Sequence, residues 1–322
     1  MSSKWTIDQL REHFQYAIQL EYWTIPFYMS AMYSIKDSTH SAYRLIQSVV
    51  YQEMFHVQLA GNCANAYGTP IDLEHAFIPP VYEGKNIPHL DPKAVNDPNH
   101  ECSGFCPYSA EIGPLDLERI NAMCLIEYPK YEMPKKPDLK GDVTTYSSIG
   151  AFYQALLFGA SQHVDAIEGD RSQVDIFRNF YRNMAVQTVE HSGGPGFAAV
   201  KGLIHAITDQ GEGEKRYDSI PLEYRNTADG FDDTEDHFDK FVSIKTLDPA
   251  AWPETYQGEV KPRGDAGKRA QETLLGNFNR FRSTMVELFN GKPVDNTFGP
   301  QMATLGGNIL NCWKNGAIPQ FS

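Results

Sequence analysis

Apolar residues recur every three or four positions along most of the chain, which is the spacing of one face of an α-helix. Thr6 is a predicted N-cap, and Gln9, three residues later, completes a capping box. The first stripe then follows over Leu10, Phe14, Ala17, Glu21, Ile25 and Tyr28. A second stripe covers Ile46, Val49, Glu53, His56, Ala60 and Ala64, and Gly68 and Pro70 end it. The two stripes predict a long helical hairpin that turns near Ser38.

The remainder of the chain predicts more helices and no strands. Helical patterns cover residues 115–127, 147–161, 174–190, 197–208, 231–245, 270–289 and 301–313. Residues 78–114 are rich in proline and show little periodicity, so we expect an ordered loop or lid there. Gly193-Gly194-Pro195-Gly196 is a predicted break in the chain. The fold class that follows is all-α.

Composition narrows the class of partner. The 322 residues carry a net charge of −13, which argues against binding to nucleic acids or anionic membranes. No apolar run approaches the roughly 18–20 residues that span a bilayer, and the N-terminus has no secretory pattern. The five cysteines are an odd number, so we expect a reduced, cytoplasmic protein. Cys102 and Cys106 lack a second cysteine pair for a zinc site, and we interpret them as structural or incidental.

Glu53 and His56 are candidate metal ligands because they form a Glu-x-x-His motif on the apolar stripe of the second helix. Glu21 lies on the stripe of the first helix. With a turn near Ser38, Glu21 precedes the turn by 17 residues, and Glu53 and His56 follow it by 15 and 18. At about 1.5 Å per residue, all three lie at one level, roughly 25 Å from the turn. They form a predicted half-site; polar core residues that satisfy one another are the alternative.

The second half of the site is less regular, because the sequence has no second Glu-x-x-His. Glu127 ends a helical face, Glu212 continues the face of the preceding helix, and His237 shares a face with Phe241. Glu212 and His237 would have to converge through tertiary structure. For Glu127 and Glu212, an exposed helix end is an equally good interpretation, and His237 alone is more typical of a core or surface histidine.

Four tyrosines lie beside these candidate ligands in the sequence. Tyr22, Tyr51, Tyr128 and Tyr153 are candidates for hydrogen bonds to the ligands or for radical chemistry. Core packing is the competing interpretation for each of them.

Several blocks of the sequence resemble the ferritin-like family named for iminophenyl-pyruvate dimer synthase. The most specific block is residues 10–28, which contains Glu21-Tyr22-Trp23-Thr24-Ile25-Pro26. Pro26 lies inside the first predicted helix, where it is expected to kink the helix beside the metal. The other blocks are residues 52–56, 148–153, 210–213 and 237–241.

This resemblance implies a ferritin-like four-helix bundle with additional helices and a metal site of carboxylates and histidines. Relatives in violacein- and rebeccamycin-type pathways couple two imines of aromatic 2-oxo acids oxidatively. The chain departs from that pattern because it lacks their long extra regions. It also has Ala151 and Gln154 where the family more often has glutamate. We therefore expect the metal site, but not the specific substrate, to carry over from the family.

The leading hypothesis is a metal-dependent oxidoreductase that holds two iron ions, with manganese as the alternative metal, and uses O₂ or peroxide. The predicted metal ligands are Glu21, Glu53, His56, Glu127, Glu212 and His237. The substrate would be a small molecule, such as an amino acid or its imine. The alternatives are a metal-storage protein, a haem-containing coupling enzyme and a purely structural bundle.

The predicted domains are a metal-binding bundle over residues 1–250, with residues 78–114 inserted as the lid, and a C-terminal helical extension over residues 251–322. The extension is expected to pack on the bundle. A homo-oligomer is compatible with the sequence, which does not decide the oligomeric state.

Overall fold

The computed structural model of the chain is helical over most of the residues it describes. These are residues 4–74, 81–83, 104–105, 109–128, 139–141, 143, 146, 149–177, 187–208, 235–293 and 297–322. The helices are α1 (Ile7–Ser34), α2 (Ser41–Ala66), α3 (Leu117–Ile126), α4 (Ile149–Ser161), α5 (Gly193–Ile207), α6 (His237–Lys245), α7 (Asp265–Phe289) and α8 (Phe298–Lys314). The predicted all-α fold class is confirmed.

The helices α1 and α2 form the predicted hairpin. The capping box at the start of α1 is present: the backbone N–H of Gln9 donates to Thr6 Oγ1 over 3.2 Å, and the backbone N–H of Thr6 donates to Gln9 Oε1 over 2.9 Å. The helix continues through Pro26 to Ser34. Gly68, just past the end of α2, has φ +69°, the left-handed conformation that glycine adopts without steric cost.

The other helices surround this hairpin. Helices α5 and α6 pack on α2, α4 packs on α1 and α5, and α3 packs on α6. At the C-terminus, α7 and α8 pack on each other and on the hairpin. Trp313 Nε1 donates to the Ser30 carbonyl over 3.0 Å, and Gly61 leaves room for the ring of Phe289. The C-terminal helices therefore contact the bundle, and the division at residue 250 stays a prediction.

Two short strands correct the expectation that the chain has none. Residues Val81–Glu83 (β1) and Ser109–Glu111 (β2) pair as an antiparallel ribbon, with Tyr82 opposite Ala110. Three residues are too few for an alternating pattern to be visible in a sequence. The strands lie within the predicted lid, residues 78–114, most of which falls outside the described residues.

The predicted helix over residues 174–190 is wrong at both of its described ends. Residues 174–177 and 187–190 are not helical, because polar side chains of α2 bind the backbone on both sides. Gln58 Oε1 accepts from the backbone N–H groups of Ile176 and Phe177, over 2.8 and 3.1 Å. Asn62 Nδ2 donates to the carbonyls of Val174 and Gln187, over 2.8 and 2.7 Å. Tertiary hydrogen bonds here replace the local bonds of a helix.

The predicted break at residues 193–196 is also wrong, because α5 begins at Gly193. Pro195 falls in the first turn of the helix, where the N–H that proline lacks would have no partner within the helix. The helix predicted over residues 231–245 is described from His237 onward.

Cys63, Cys124 and Cys312 are free and buried. Cys102 and Cys106 lie outside the described residues. None of the helices in the described part of the chain combines the length and the apolar character that crossing a bilayer requires.

Asn62→Ala tests the anchoring of residues 174–177 and 187. The substitution removes the two bonds that Nδ2 donates and the 2.8 Å bond that Oδ1 accepts from the backbone N–H of Val174. We expect the free energy of unfolding to fall by about 2–4 kcal/mol, because buried backbone groups lose their partners. Urea denaturation measures the change, with the exposed Asn311→Ala as the control. Equal losses for the two variants would contradict the anchoring role.

Candidate metal centre

Five of the six predicted ligands converge at one place inside the bundle. Glu21 lies on α1, Glu53 and His56 lie on α2, Glu127 caps the C-terminus of α3, and His237 is the first residue of α6. Each side chain is at most 1% exposed. Glu212, the sixth predicted ligand, lies outside the described residues. That these residues bind metal stays a prediction, and their convergence is an observation.

The first group of potential ligands comprises Glu21, Glu53 and His56. One ligand atom from each lies within 4.8 Å of the others. His56 Nδ1 is 3.3 Å from Glu21 Oε2. The i, i+3 spacing on α2 presents Glu53 and His56 on one face, and the antiparallel packing of α1 brings Glu21 to the same level. This is the half-site that the sequence predicts.

The second group comprises Glu53, Glu127 and His237, again with ligand atoms within 4.8 Å of one another. His237 Nδ1 is 2.9 Å from Glu53 Oε1 and 3.3 Å from Glu127 Oε2. The rings of His56 and His237 are stacked, with their centroids 5.5 Å apart. Glu53 belongs to both groups, so its carboxylate lies between the two potential metal positions.

Hydroxyl groups hold one oxygen of each carboxylate. Tyr153 donates to Glu21 Oε1, and Tyr28 donates to Glu127 Oε1 over 2.5 Å. The Thr24 hydroxyl lies 2.9 Å from Glu53 Oε2. Glu21 Oε2 and Glu53 Oε1 are buried and accept no hydrogen bond from the residues that the structure describes. These two oxygens face the imidazole nitrogens, which is the arrangement expected of donor atoms around a common cation.

The electrostatics of the centre require a cation or protons. Burial, together with the neighbouring carboxylates of Glu127 and Glu21, raises the pKa of Glu53 well above its ordinary value. The proximity of His56 and the hydrogen bond from Thr24 act in the opposite direction and do not offset the rise. Three carboxylates without a counter-charge would carry a large desolvation and repulsion cost at this position.

The donor set fits divalent transition metals. Carboxylate and imidazole suit iron, manganese and zinc alike, so the ligands do not decide the metal. In helical bundles, glutamates and Glu-x-x-His motifs that project inward from neighbouring helices hold two metal ions. Here one Glu-x-x-His is present, and the second histidine is His237, supplied by a separate helix.

The sequence did not predict correctly which tyrosines contact the candidate metal ligands. Tyr28 lies on the predicted stripe of α1 but was not identified as a partner of a ligand; its spacing of seven residues from Glu21 was the available signal. Of the four tyrosines beside candidate ligands in the sequence, Tyr153 donates a hydrogen bond to one of those ligands, Glu21. Tyr22 stacks on Phe278, and Tyr51 is 37% exposed. Tyr128 packs against Phe105 and Phe238.

The fold and the site together define a class: a helical bundle with a buried cluster of carboxylates and histidines suited to two metal ions. A model of the Ferritin-like family matches residues 14–246. The crystal structure of a ferritin-like protein from Caulobacter vibrioides is similar over 99% of both chains, with 43% identity and a TM-score of 0.83. No curated protein matches the sequence. The chain belongs to the ferritin-like family.

The position of Glu53 in both groups predicts the pattern of metal loss on substitution. Glu53→Gln should reduce bound metal from about two ions per chain toward none, whereas Glu21→Gln and Glu127→Gln should each leave about one. Elemental analysis after anaerobic loading with Fe²⁺ measures this. Glu12→Gln, at an exposed position of α1, is the control. Equal metal contents for the three buried variants would contradict a shared carboxylate.

The raised pKa of Glu53 predicts how the metal-free protein responds to pH. A carboxyl group that holds its proton more tightly in the folded chain stabilises the fold at low pH, and this contribution is lost as pH rises through the folded pKa. Glu53→Gln removes the dependence, so the stability of the variant relative to the wild-type protein should rise as the pH rises.

Urea denaturation in chelator, over a series of pH values from acidic to mildly alkaline, measures this change in relative stability. Glu12→Gln should follow the wild-type profile, because the side chain it replaces is exposed. Parallel profiles for Glu53→Gln and the wild-type protein would show that Glu53 does not titrate differently in the folded chain.

Proposed function

We propose that the protein is a metal-dependent oxidoreductase with two iron ions, which uses O₂ or peroxide to oxidise a small molecule. The observation that supports this proposal is the sharing of Glu53 between two groups of ligands. A carboxylate between two ions couples them, which a site for one structural ion does not need. Manganese is compatible with the same donors.

Glu21 and His56 would hold one ion, Glu127 and His237 would hold the other, and Glu53 would lie between them. When bound, the iron pair supplies the capacity to pass electrons to O₂ or peroxide. Carboxylates suit this role because they change between terminal and bridging modes. Tyr28 and Tyr153 orient the terminal carboxylates, and the burial of all five ligands excludes bulk water.

The substrate class rests on the resemblance to the iminophenyl-pyruvate dimer synthase family. That resemblance includes the helix with Glu21 and the blocks that contain Glu53 and His237. We propose an amino acid or an imine derived from one as the substrate. The departures at Ala151 and Gln154, and the absence of the long extra regions, are the reasons not to assign the dimerisation itself.

Metal binding without turnover is the second candidate, because complete burial of five ligands also suits retention of metal. Haem receives no support from the described residues of the centre. An axial histidine usually binds haem iron through Nε2 and needs open space beside that atom. His237 Nε2 instead lies 3.1 Å from Gln52 Oε1.

Elemental analysis and O₂ consumption test the proposal on the full chain. We expect about two irons per chain after anaerobic loading and no Soret band. Aromatic 2-oxo acids mixed with ammonium, which contain the imines at equilibrium, should then stimulate O₂ uptake with loss of substrate by mass spectrometry. The Glu53→Gln protein is the control and should show neither effect.

The outcomes separate the two candidates. Two irons with no O₂ uptake on any amino acid or imine would favour a metal-binding protein without turnover. No stoichiometric iron or manganese after loading would overturn the dinuclear centre itself.

A further inference from the structure

Gln52 and Lys240 form a buried polar pair beside His237 Nε2, the ring nitrogen that does not face the carboxylates. Lys240 is 1% exposed although it carries an ammonium group, and Gln52 is 7% exposed. Lys240 Nζ lies 3.1 Å from Gln52 Oε1, and His237 Nε2 also lies 3.1 Å from that atom. One amide oxygen of α2 therefore faces a lysine and a histidine of α6.

The lysine determines which way the amide of Gln52 points. The oxygen and nitrogen of a glutamine amide differ little in shape, so its orientation follows from its partners. An ammonium group has three donors and no acceptor, so the amide atom facing Lys240 has to be the oxygen. The same oxygen then faces His237 Nε2.

The amide oxygen in turn determines the hydrogen on His237. An oxygen only accepts, so Nε2 carries the hydrogen, and in the neutral ring Nδ1 then carries the lone pair. Nδ1 is the atom that faces Glu53 Oε1 and Glu127 Oε2, at 2.9 and 3.3 Å. We propose that Lys240 and Gln52 are positioning residues that fix the tautomer of His237 so that Nδ1 binds the second metal ion. This inference rests on the proposed metal centre.

A purely structural role for the pair makes a different prediction. If Lys240 and Gln52 only filled space and bridged α2 to α6, any side chain of similar volume would preserve the centre. If they fix the tautomer, the acceptor at position 52 is required. Without Lys240, the amide can turn and offer its NH₂ group to Nε2, which favours the wrong tautomer. Hydrogen-bond partners of metal-binding histidines typically contribute about 10–100-fold in metal affinity.

The test uses Zn²⁺, which is diamagnetic and accepts the same donors. The variants are Lys240→Met, Gln52→Leu and Gln52→Glu, with Lys201→Met, at an exposed position of α5, as the control. Competition with a chromophoric chelator gives the affinity of each ion. Nitrogen NMR of histidine-labelled, Zn²⁺-loaded protein identifies the ring nitrogen that carries hydrogen. Circular dichroism verifies the fold of each variant.

We expect Lys240→Met and Gln52→Leu to weaken the second Zn²⁺ by about 10–100-fold and to lose the Nε2–H signal of His237. Gln52→Glu keeps an acceptor and should retain both. The comparison of Gln52→Glu with Gln52→Leu remains decisive if Lys240→Met does not fold.

Two results would overturn the inference, and the second of them would also reject the metal centre. Wild-type affinity in both Lys240→Met and Gln52→Leu, with metal lost in Glu53→Gln, would reject the positioning role and leave the metal centre intact. No Zn²⁺ binding by the wild-type protein would reject the centre and the positioning role together.

Discussion

Three carboxylates buried at one point in an apolar interior are the constraint on which the rest of the structure depends. Burial and the neighbouring carboxylates of Glu127 and Glu21 both oppose the ionisation of Glu53 there, and a counter-charge would relieve this opposition. Hydroxyl groups such as those of Tyr28 and Tyr153 stabilise one oxygen of a carboxylate each but supply no positive charge. A cation or a proton beside the remaining oxygens would supply it, and among cations the nearby histidines favour transition metals.

The half of the centre on the hairpin could be predicted from the sequence, because its geometry follows from local rules. Helical periodicity places Glu53 and His56 on one face of α2, and counting outward from the turn places Glu21 at the same level of α1. These relations need no knowledge of the other helices. The existence of most helices followed from the same periodicity, since an apolar stripe is a property of one segment.

The remainder could not be predicted, because it depends on contacts between distant segments. Glu127 and His237 are 110 residues apart and meet only when α3 packs on α6. The helical pattern over residues 174–190 gave a wrong prediction, because Gln58 and Asn62 bind the backbone of its described ends from another helix. A periodic pattern reports what a segment would do alone, and tertiary hydrogen bonds can override it.

The two halves of the centre therefore differ in what holds them in place. The first is built by two helices joined by residues 35–40, whereas the second exists only when α6 is docked on α2 and α3 is docked on α6. An ion bound by Glu53, Glu127 and His237 would stabilise that docking as well as neutralise charge, because binding to a site formed only in the folded state adds to its stability. Lys240 and Gln52 belong to this second half, where the ligand atom of the histidine is not fixed by a local motif. Burying the ammonium group of Lys240 in an apolar interior costs free energy. The chain places this group at the part of the centre whose geometry depends most on tertiary packing.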